Sequence, residues 1–91
     1  MNASRVAEIR SRLEAAFAPD SLEIVDESHR HAGHAGARDG RGHFVVRIVS
    51  DRFKDVKSLA RHRMVYAALG DLMQTDIHAL SVVASSPEEK L

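Results

Sequence analysis

The sequence has 91 residues, which is enough for one small domain with a modest core and too few for two domains. Thirteen lysine and arginine residues balance thirteen aspartate and glutamate residues, so the formal net charge is zero and a simple polybasic nucleic-acid binder is excluded. Cysteine is absent, which excludes disulfides, thiolate nucleophiles and cysteine-rich zinc sites. Any soft-metal chemistry must therefore use the six histidines or thiolates of a partner.

The charges are distributed unevenly along the chain. Residues 1–37 carry 4 basic and 6 acidic groups, residues 38–63 carry 8 and 3, and residues 64–91 carry 1 and 4. The basic middle segment indicates a local electropositive patch, for which a solvated face without a ligand is the ordinary alternative. No apolar run is long enough to span a membrane, and the N-terminal residues do not resemble a signal peptide. We therefore expect a cytosolic protein that does not associate with membranes.

The spacing of apolar residues predicts three elements in the first half of the chain. Residues 4–17 place apolar side chains at intervals of three and four, which predicts a helix that Ser4 caps and Pro19 stops. Residues 22–27 alternate between apolar and polar, which predicts a half-buried strand. Residues 44–49 form a second strand, which a glycine-rich loop joins to the first. The two strands are expected to pair antiparallel.

The second half predicts one more helix and one more strand. Residues 58–73 resume helical spacing, with Ser58 as the cap and with Gly70 inside the helix at a cost of about 1 kcal/mol. Residues 79–84 predict the last strand. Because 44–49 is largely apolar on both faces, we expect it in the centre of the sheet, parallel to the last strand. The predicted fold class is α+β, with the order α-β-β-α-β and both helices packed on one face of a three-stranded sheet.

This single domain is predicted to cover residues 1–84. Residues 85–91 are too polar to bury and are expected to form a disordered tail. The chain lacks a nucleophile-elbow pattern, and a domain this small has few walls with which to exclude water from a reaction. We therefore expect a protein that is not an enzyme.

The histidines are the compositional oddity. His29, His31 and His34 lie in the loop between the first two strands, His43 begins the second strand, and His78 lies just before the third. Imidazole is a good ligand for zinc and copper and replaces thiolate in some iron–sulfur centres. For His43 a hydrogen-bonded structural role is the ordinary alternative. If the three strands share a sheet, the loop and His78 lie at one end of it, in an open site that a partner completes.

A basic cluster precedes and opens the second predicted helix. Its members are Lys54, Lys57, Arg61, His62 and Arg63. Helical geometry places Lys57 and Arg61 on one face, and one of the three residues 61–63 is expected to turn toward the interior or the sheet rim. Phosphate, a partner carboxylate and glutathione are possible targets. A base-stacking platform is poorly supported, because only one aromatic side chain lies on this segment.

Several blocks occur in a specific order along nearly the whole chain. They are Glu27-Ser28-His29-x-His31-x-Gly33, His43-Phe44-x-Val46, Val49-Ser50-x-x-Phe53, Leu59-x-Arg61-His62-Arg63-x-Val65-Tyr66 and Ile77-His78-Ala79-Leu80-Ser81-Val82. In this order and spacing the chain resembles the BolA family. The resemblance implies a class II KH-like fold, which agrees with the predicted element order.

The resemblance also implies a function. Proteins of this family associate with monothiol (CGFS-type) glutaredoxins and share a two-iron two-sulfur (2Fe–2S) cluster with them and with glutathione. The family's ligand in the Ile-His-Ala-Leu block corresponds to His78. A second ligand from the loop corresponds best to His31 and next best to His34. We expect no cofactor in the isolated protein, which should be a monomer.

Transcriptional regulation through DNA contacts at the second helix is the alternative that the resemblance implies. The basic middle segment is compatible with it, but the neutral total charge and the scarcity of aromatic residues argue for weak, salt-sensitive binding. For either role the predicted contacts with a partner or with nucleic acid are Lys54, Lys57, Arg61 and Arg63. The expected function is that of an adaptor in iron–sulfur metabolism.

Overall fold

The computed structural model describes residues 2–28 and 41–89. Its elements are α1 (Asn2–Phe17), β1 (Ser21–Asp26), β2 (Gly42–Val49), α2 (Ser58–Leu69), α3 (Leu72–Thr75) and β3 (Ile77–Ser85), with short 3-10 turns at Asp51–Phe53 and Pro87–Glu89. The predicted α-β-β-α-β order is confirmed, with the short helix α3 as an addition. None of the described helices is long and apolar enough to cross a bilayer.

The three strands form one mixed sheet in the order β1-β2-β3. β1 pairs antiparallel with β2, with Leu22 opposite Ile48. β2 pairs parallel with β3, with Val46 opposite Val82. The predictions of a central second strand and of parallel pairing across the helical connection are therefore confirmed.

The core lies between the helices and one face of the sheet. Its buried members are Ile9, Leu13, Phe17, Phe44, Val46, Ile48, Phe53, Val65, Leu69, Leu72 and Ile77. They come from the apolar stripe of α1, from alternate residues of β2, from the inner side of α2, and from the 3-10 turn before α2, the short helix α3 and the start of β3. The opposite face of the sheet carries the exposed ion pair of Glu23 with Arg47 (3.2 Å) and the exposed side chain of Val83.

Gly70 ends α2, so the single helix predicted over residues 58–73 is wrong. The backbone of Gly70 adopts φ 54° and ψ −127°, a conformation that side chains other than hydrogen strongly disfavour. Its N–H donates to the carbonyl of Tyr66, and α3 restarts the helical path two residues later. Arg12 of α1 holds this break, because its Nη1 donates to the Leu69 carbonyl and to Asp71 Oδ1, both at 2.8 Å.

A β-bulge interrupts the pairing at the start of β3. Gly42 lies opposite Ile77 and His43 lies opposite Ala79, so His78 is the additional residue of the bulge. β3 therefore begins two residues before the predicted strand. Gly42 allows a close approach here, because a Cβ atom at this position would lie 2.6 Å from Cε2 of Phe44.

The residues after β3 fold back onto the start of α2. Ser86 is buried, and its N–H donates to Glu89 Oε1 at 2.7 Å, which is the carboxylate half of a capping box at the start of the last turn. Arg61 donates to both carboxylate oxygens of Glu89, at 2.7 and 3.1 Å. This ordered arrangement of residues 85–89 differs from the disordered tail predicted from residue 85, because specific polar pairs replace the apolar burial that the segment lacks.

The hydrogen bonds to Glu89 generate a pH prediction. The Arg61 guanidinium, and after it the Ser86 backbone, lower the pKa of Glu89 from 4.5 to about 2. A carboxyl group whose pKa falls on folding stabilises the protein above its unfolded pKa, and this contribution is lost as the pH falls through the folded pKa. The free-energy difference between wild type and Glu89→Gln in urea unfolding should therefore be constant above about pH 5 and shrink between about pH 4.5 and 2.

The control is Glu14→Gln, which removes an exposed carboxylate of α1. We expect little difference from wild type in its free energy of unfolding at any of these pH values. A difference for Glu89→Gln that does not change with pH would contradict the prediction.

Candidate functional site

His78 is exposed because of the bulge. Ile77 is 1% exposed, and Leu80, three residues later, also packs against the core. Strict alternation would place residues 77 and 80 on opposite faces of the sheet. The additional residue in the bulge places both Ile77 and Leu80 on the core side of the sheet and leaves His78 and Ala79 exposed. The imidazole is thus presented at the end of the sheet without a cost in core packing.

Two side chains, one just before β2 and one in its second residue, lie beside His78. Arg41 Nη2 is 3.2 Å from Nδ1 of His78. The rings of His43 and His78 are 5.1 Å apart between centroids and inclined by 48°. The backbone N–H of His43 donates to Ser28 Oγ, and its carbonyl accepts from the N–H of Glu27. The end of β1 and the starts of β2 and β3 therefore converge on one site.

Asp76 connects this site to α1 and to the start of β2. Its carboxylate pairs with Arg5 Nε at 3.1 Å, and its carbonyl accepts from the N–H of Gly42 at 2.8 Å. The Thr75 hydroxyl, and after it Arg5, lower the pKa of Asp76. The residue two positions before His78 is thus fixed both to α1 and to the start of β2.

The predicted loop ligands His31 and His34 lie outside the described residues. The segment that contains them, residues 29–40, leaves the described chain at Ser28 and rejoins it at Arg41, and both of these residues belong to the site. Within 2–28 and 41–89, no three histidine, aspartate or glutamate side chains are grouped to hold a metal ion. The described donors at this site therefore do not form a complete coordination shell.

The side chain of Arg61 is largely buried and donates to groups of this chain, which differs from its predicted role as a contact for a partner. Its Nε donates to the Val56 carbonyl at 2.7 Å, and its Nη1 donates to the Ala84 carbonyl at 2.9 Å and to Glu89. Only 11% of the side chain is exposed. The expectation that one of residues 61–63 turns inward is confirmed. Its cause is the free edge of β3, where the Ala84 carbonyl requires a donor.

The other predicted contacts remain on the surface. Lys54 Nζ lies 3.4 Å from Glu88 Oε2. A hydrogen bond from the backbone of Glu88, and after it Lys54, lowers the pKa of the Glu88 carboxyl. Lys57 and Arg63 are exposed, and the exposed side chains of Leu59 and Tyr66 lie on the same outer stripe of α2 as Arg63. Arg41 carries no sequence signal as a neighbour of His78, because no local pattern reports a contact across 37 residues.

The different positions of Arg61 and Arg63 generate a prediction. Arg61→Ala should lower the free energy of unfolding by about 2 kcal/mol, because it leaves two part-buried carbonyls and a carboxylate without their charged donor. Arg63→Ala should change it by less than about 0.5 kcal/mol, as expected for an exposed helix position. Urea unfolding at neutral pH measures both values. Equal effects of the two substitutions would contradict the internal role of Arg61.

Comparisons with known proteins agree with the fold and identify a family. The family model described as "BolA-like protein" matches residues 13–89. The chain is 45% identical over 91 residues to SufE-like protein 1, chloroplastic/mitochondrial, of Arabidopsis thaliana, covering 94% of this chain and 24% of that protein. It is 47% identical over 74 residues to the DNA-binding transcriptional regulator BolA of Escherichia coli, covering 81% of this chain and 68% of that protein.

A solved structure extends the agreement to three dimensions. The BolA domain of SufE1 from Arabidopsis thaliana superposes with a TM-score of 0.84 at 43% identity, covering 94% of this chain and 95% of that domain. Fold and site thus define a small α+β domain that presents a histidine at the end of a three-stranded mixed sheet. The chain belongs to the BolA-like family. It spans about a quarter of the length of the first relative and about two thirds of the second.

Proposed function

We propose that this protein is a non-enzymatic adaptor that binds a monothiol glutaredoxin and holds a 2Fe–2S cluster jointly with it and with glutathione. In this proposal His78 is the cluster ligand of the adaptor, and the cluster is cargo that passes through the complex. The observation that carries the proposal is the exposed imidazole of His78 at the bulge. A location in the cytosol and a monomeric state of the isolated protein stay predictions.

The chemistry of the donor set supports a shared site. The chain has no cysteine, so it offers iron imidazole nitrogen where an iron–sulfur protein ordinarily offers thiolate. Among the described residues, the imidazole ring that packs against His78 is that of His43. A cluster needs more ligands than these two side chains provide, so thiolates of a partner and of glutathione would complete the shell. His31 and then His34 remain the proposed additional ligands from the loop.

Imidazole ligation has consequences for the cargo. A neutral imidazole in place of a thiolate makes the cluster less negative and raises its reduction potential. It also makes retention of the cluster dependent on pH, because protons compete with iron for the ring nitrogen. A cluster with these properties suits transfer, repair or sensing better than electron transfer at low potential.

A mixing experiment tests this proposal. Cluster-loaded monothiol glutaredoxin with glutathione is titrated with this protein, and visible absorption and circular dichroism are recorded. Wild type should produce a new spectrum that saturates at one protein per glutaredoxin, and His78→Ala should not. The matched control is His62→Ala, which removes a half-buried imidazole of α2 and should behave as wild type. An unchanged spectrum with wild type, and no complex on gel filtration, would refute the adaptor function.

The second candidate is a DNA-binding regulator, as the name of the Escherichia coli relative suggests. The cations exposed on and before α2 are the observation that favours it. The structure weakens this candidate, because Arg61 is internal and Lys54 pairs with Glu88. Lys57 and Arg63 are then the main cations of this surface.

This geometry limits the strength of DNA binding. Two phosphate contacts give a slope of about −2 in a plot of log affinity against log salt concentration. We therefore expect duplex DNA to bind with a dissociation constant of about 0.1 mM or weaker near physiological salt. The variant with both Lys57→Gln and Arg63→Gln should abolish this binding, and His78→Ala should not affect it. Fluorescence anisotropy with a labelled duplex measures all three proteins, and a steep slope with submicromolar affinity would favour the regulator.

A further inference from the structure

We propose that Arg41 competes with metal for His78. Its guanidinium cannot bind a metal ion, but it occupies Nδ1 of the imidazole in the cluster-free protein. It has to leave that atom before His78 can bind iron. Arg41 is therefore a positioning residue that sets the affinity of the site. This inference rests on the proposed adaptor function and adds a residue that regulates metal binding at the same site.

The hydrogen-bond chemistry of the two side chains carries the first step. A guanidinium group has donors and no acceptor, so the 3.2 Å contact requires Nδ1 of His78 to accept. A neutral imidazole has a lone pair on one ring nitrogen and a hydrogen on the other. With the lone pair on Nδ1, the hydrogen is on Nε2. In this arrangement Nδ1 faces the arginine and Nε2 carries a proton.

Metal ligation requires a change in this arrangement. If Arg41 withdraws, Nδ1 can donate its lone pair to the metal and Nε2 keeps its hydrogen. Alternatively, Arg41 withdraws and the hydrogen moves from Nε2 to Nδ1, after which Nε2 donates its lone pair. In both cases the ring binds as neutral imidazole and no electron is transferred. Arg41 has to leave Nδ1 in both cases. In the first case the lone pair of Nδ1 binds the metal, and in the second case an Nδ1–H group cannot accept from Arg41.

The position of Arg41 in the fold suits this competition. Gly42, the next residue, is held by the carbonyl of Asp76 and by its close approach to Phe44. The backbone on the β2 side of Arg41 is therefore fixed opposite the bulge, which keeps the guanidinium within reach of His78.

The test begins with the isolated protein and uses Zn²⁺ as the probe. Arg41→Met removes the donors and the charge while keeping an unbranched side chain. Arg47→Met is the matched control, because Arg47 is an exposed arginine of β2, the strand that Arg41 precedes, and it pairs with Glu23 away from His78. Two-bond ¹H–¹⁵N spectra at about pH 8 report which ring nitrogen of each histidine carries the hydrogen. The ¹⁵N shifts of His78 during a Zn²⁺ titration report direct ligation of that ring.

We expect wild type and Arg47→Met to show His78 only with the hydrogen on Nε2, and Arg41→Met to show a mixture of both tautomers. The Zn²⁺ concentration that half-saturates His78 should be about three- to tenfold lower in Arg41→Met, as expected when one competing solvent-exposed hydrogen bond is removed. Arg41→Ala should shift both readings in the same direction. An unchanged tautomer and an unchanged Zn²⁺ midpoint in a folded Arg41→Met protein would overturn the inference.

The glutaredoxin titration separates this inference from the function on which it rests. With Arg41→Met, the cluster spectrum should saturate at a lower protein concentration than with wild type. If the tautomer and the Zn²⁺ midpoint shift as expected but no variant takes up the cluster, the adaptor function is refuted and the competition at His78 stands. If wild type takes up the cluster and Arg41→Met changes none of the three readings, the competition is refuted and the adaptor function stands.

Discussion

The bulge between Gly42 and Ile77 is the constraint on which the account of this protein depends. A regular parallel ladder allows only alternate residues of β3 to face the core, yet Ile77 and Leu80 both do so. The additional residue resolves this conflict and turns His78 outward. Gly42 is part of the same constraint, because a side chain there would overlap the Phe44 ring. Packing of the core and exposure of the imidazole are thus two results of one local geometry.

The arginines divide into those that join elements of the fold and those that remain surface charges. Arg12 joins α1 to the break after α2, and Arg61 joins the start of α2 to the edge of β3 and to the last turn. Both donate to backbone carbonyls that the ends of helices and strands leave unpaired. Arg63 and Lys57 are exposed on the surface. The charge pattern alone overstates the basic surface, because it counts Arg61 with them.

Sequence periodicity was sufficient for the order of the elements and for the pairing of the strands. The apolar stripe of residues 4–17 and the run 44–49 carry strong local signals, since each reflects a face that must be buried. The bulge had no such signal, because it depends on the register between strands 35 residues apart. The end of α2 at Gly70 could have been predicted, since glycine commonly terminates helices. The Ser86-x-x-Glu89 pattern likewise signals a capping box within the segment predicted to be disordered.

The site shows the same limit. His78 was identified through a family resemblance, and its neighbours Arg41 and His43 became apparent only when β2 and β3 were paired. Arg61 illustrates the opposite case, in which a residue inside a recognisable motif serves the fold. Motif matching locates residues that matter but does not separate those that bind a partner from those that bind the chain's own backbone. Burial and hydrogen-bond partners make that distinction.

Pulsed electron paramagnetic resonance of the reduced cluster in the mixed complex tests the central claim most directly. The protein is labelled with ¹⁵N-histidine, and the glutaredoxin is left unlabelled. The account predicts a strong coupling between the cluster and an imidazole ¹⁵N nucleus of wild type, and the loss of the coupling assigned to His78 in His78→Ala. A cluster without imidazole coupling, or a coupling that is unchanged in His78→Ala, would contradict the assignment of His78 as the ligand.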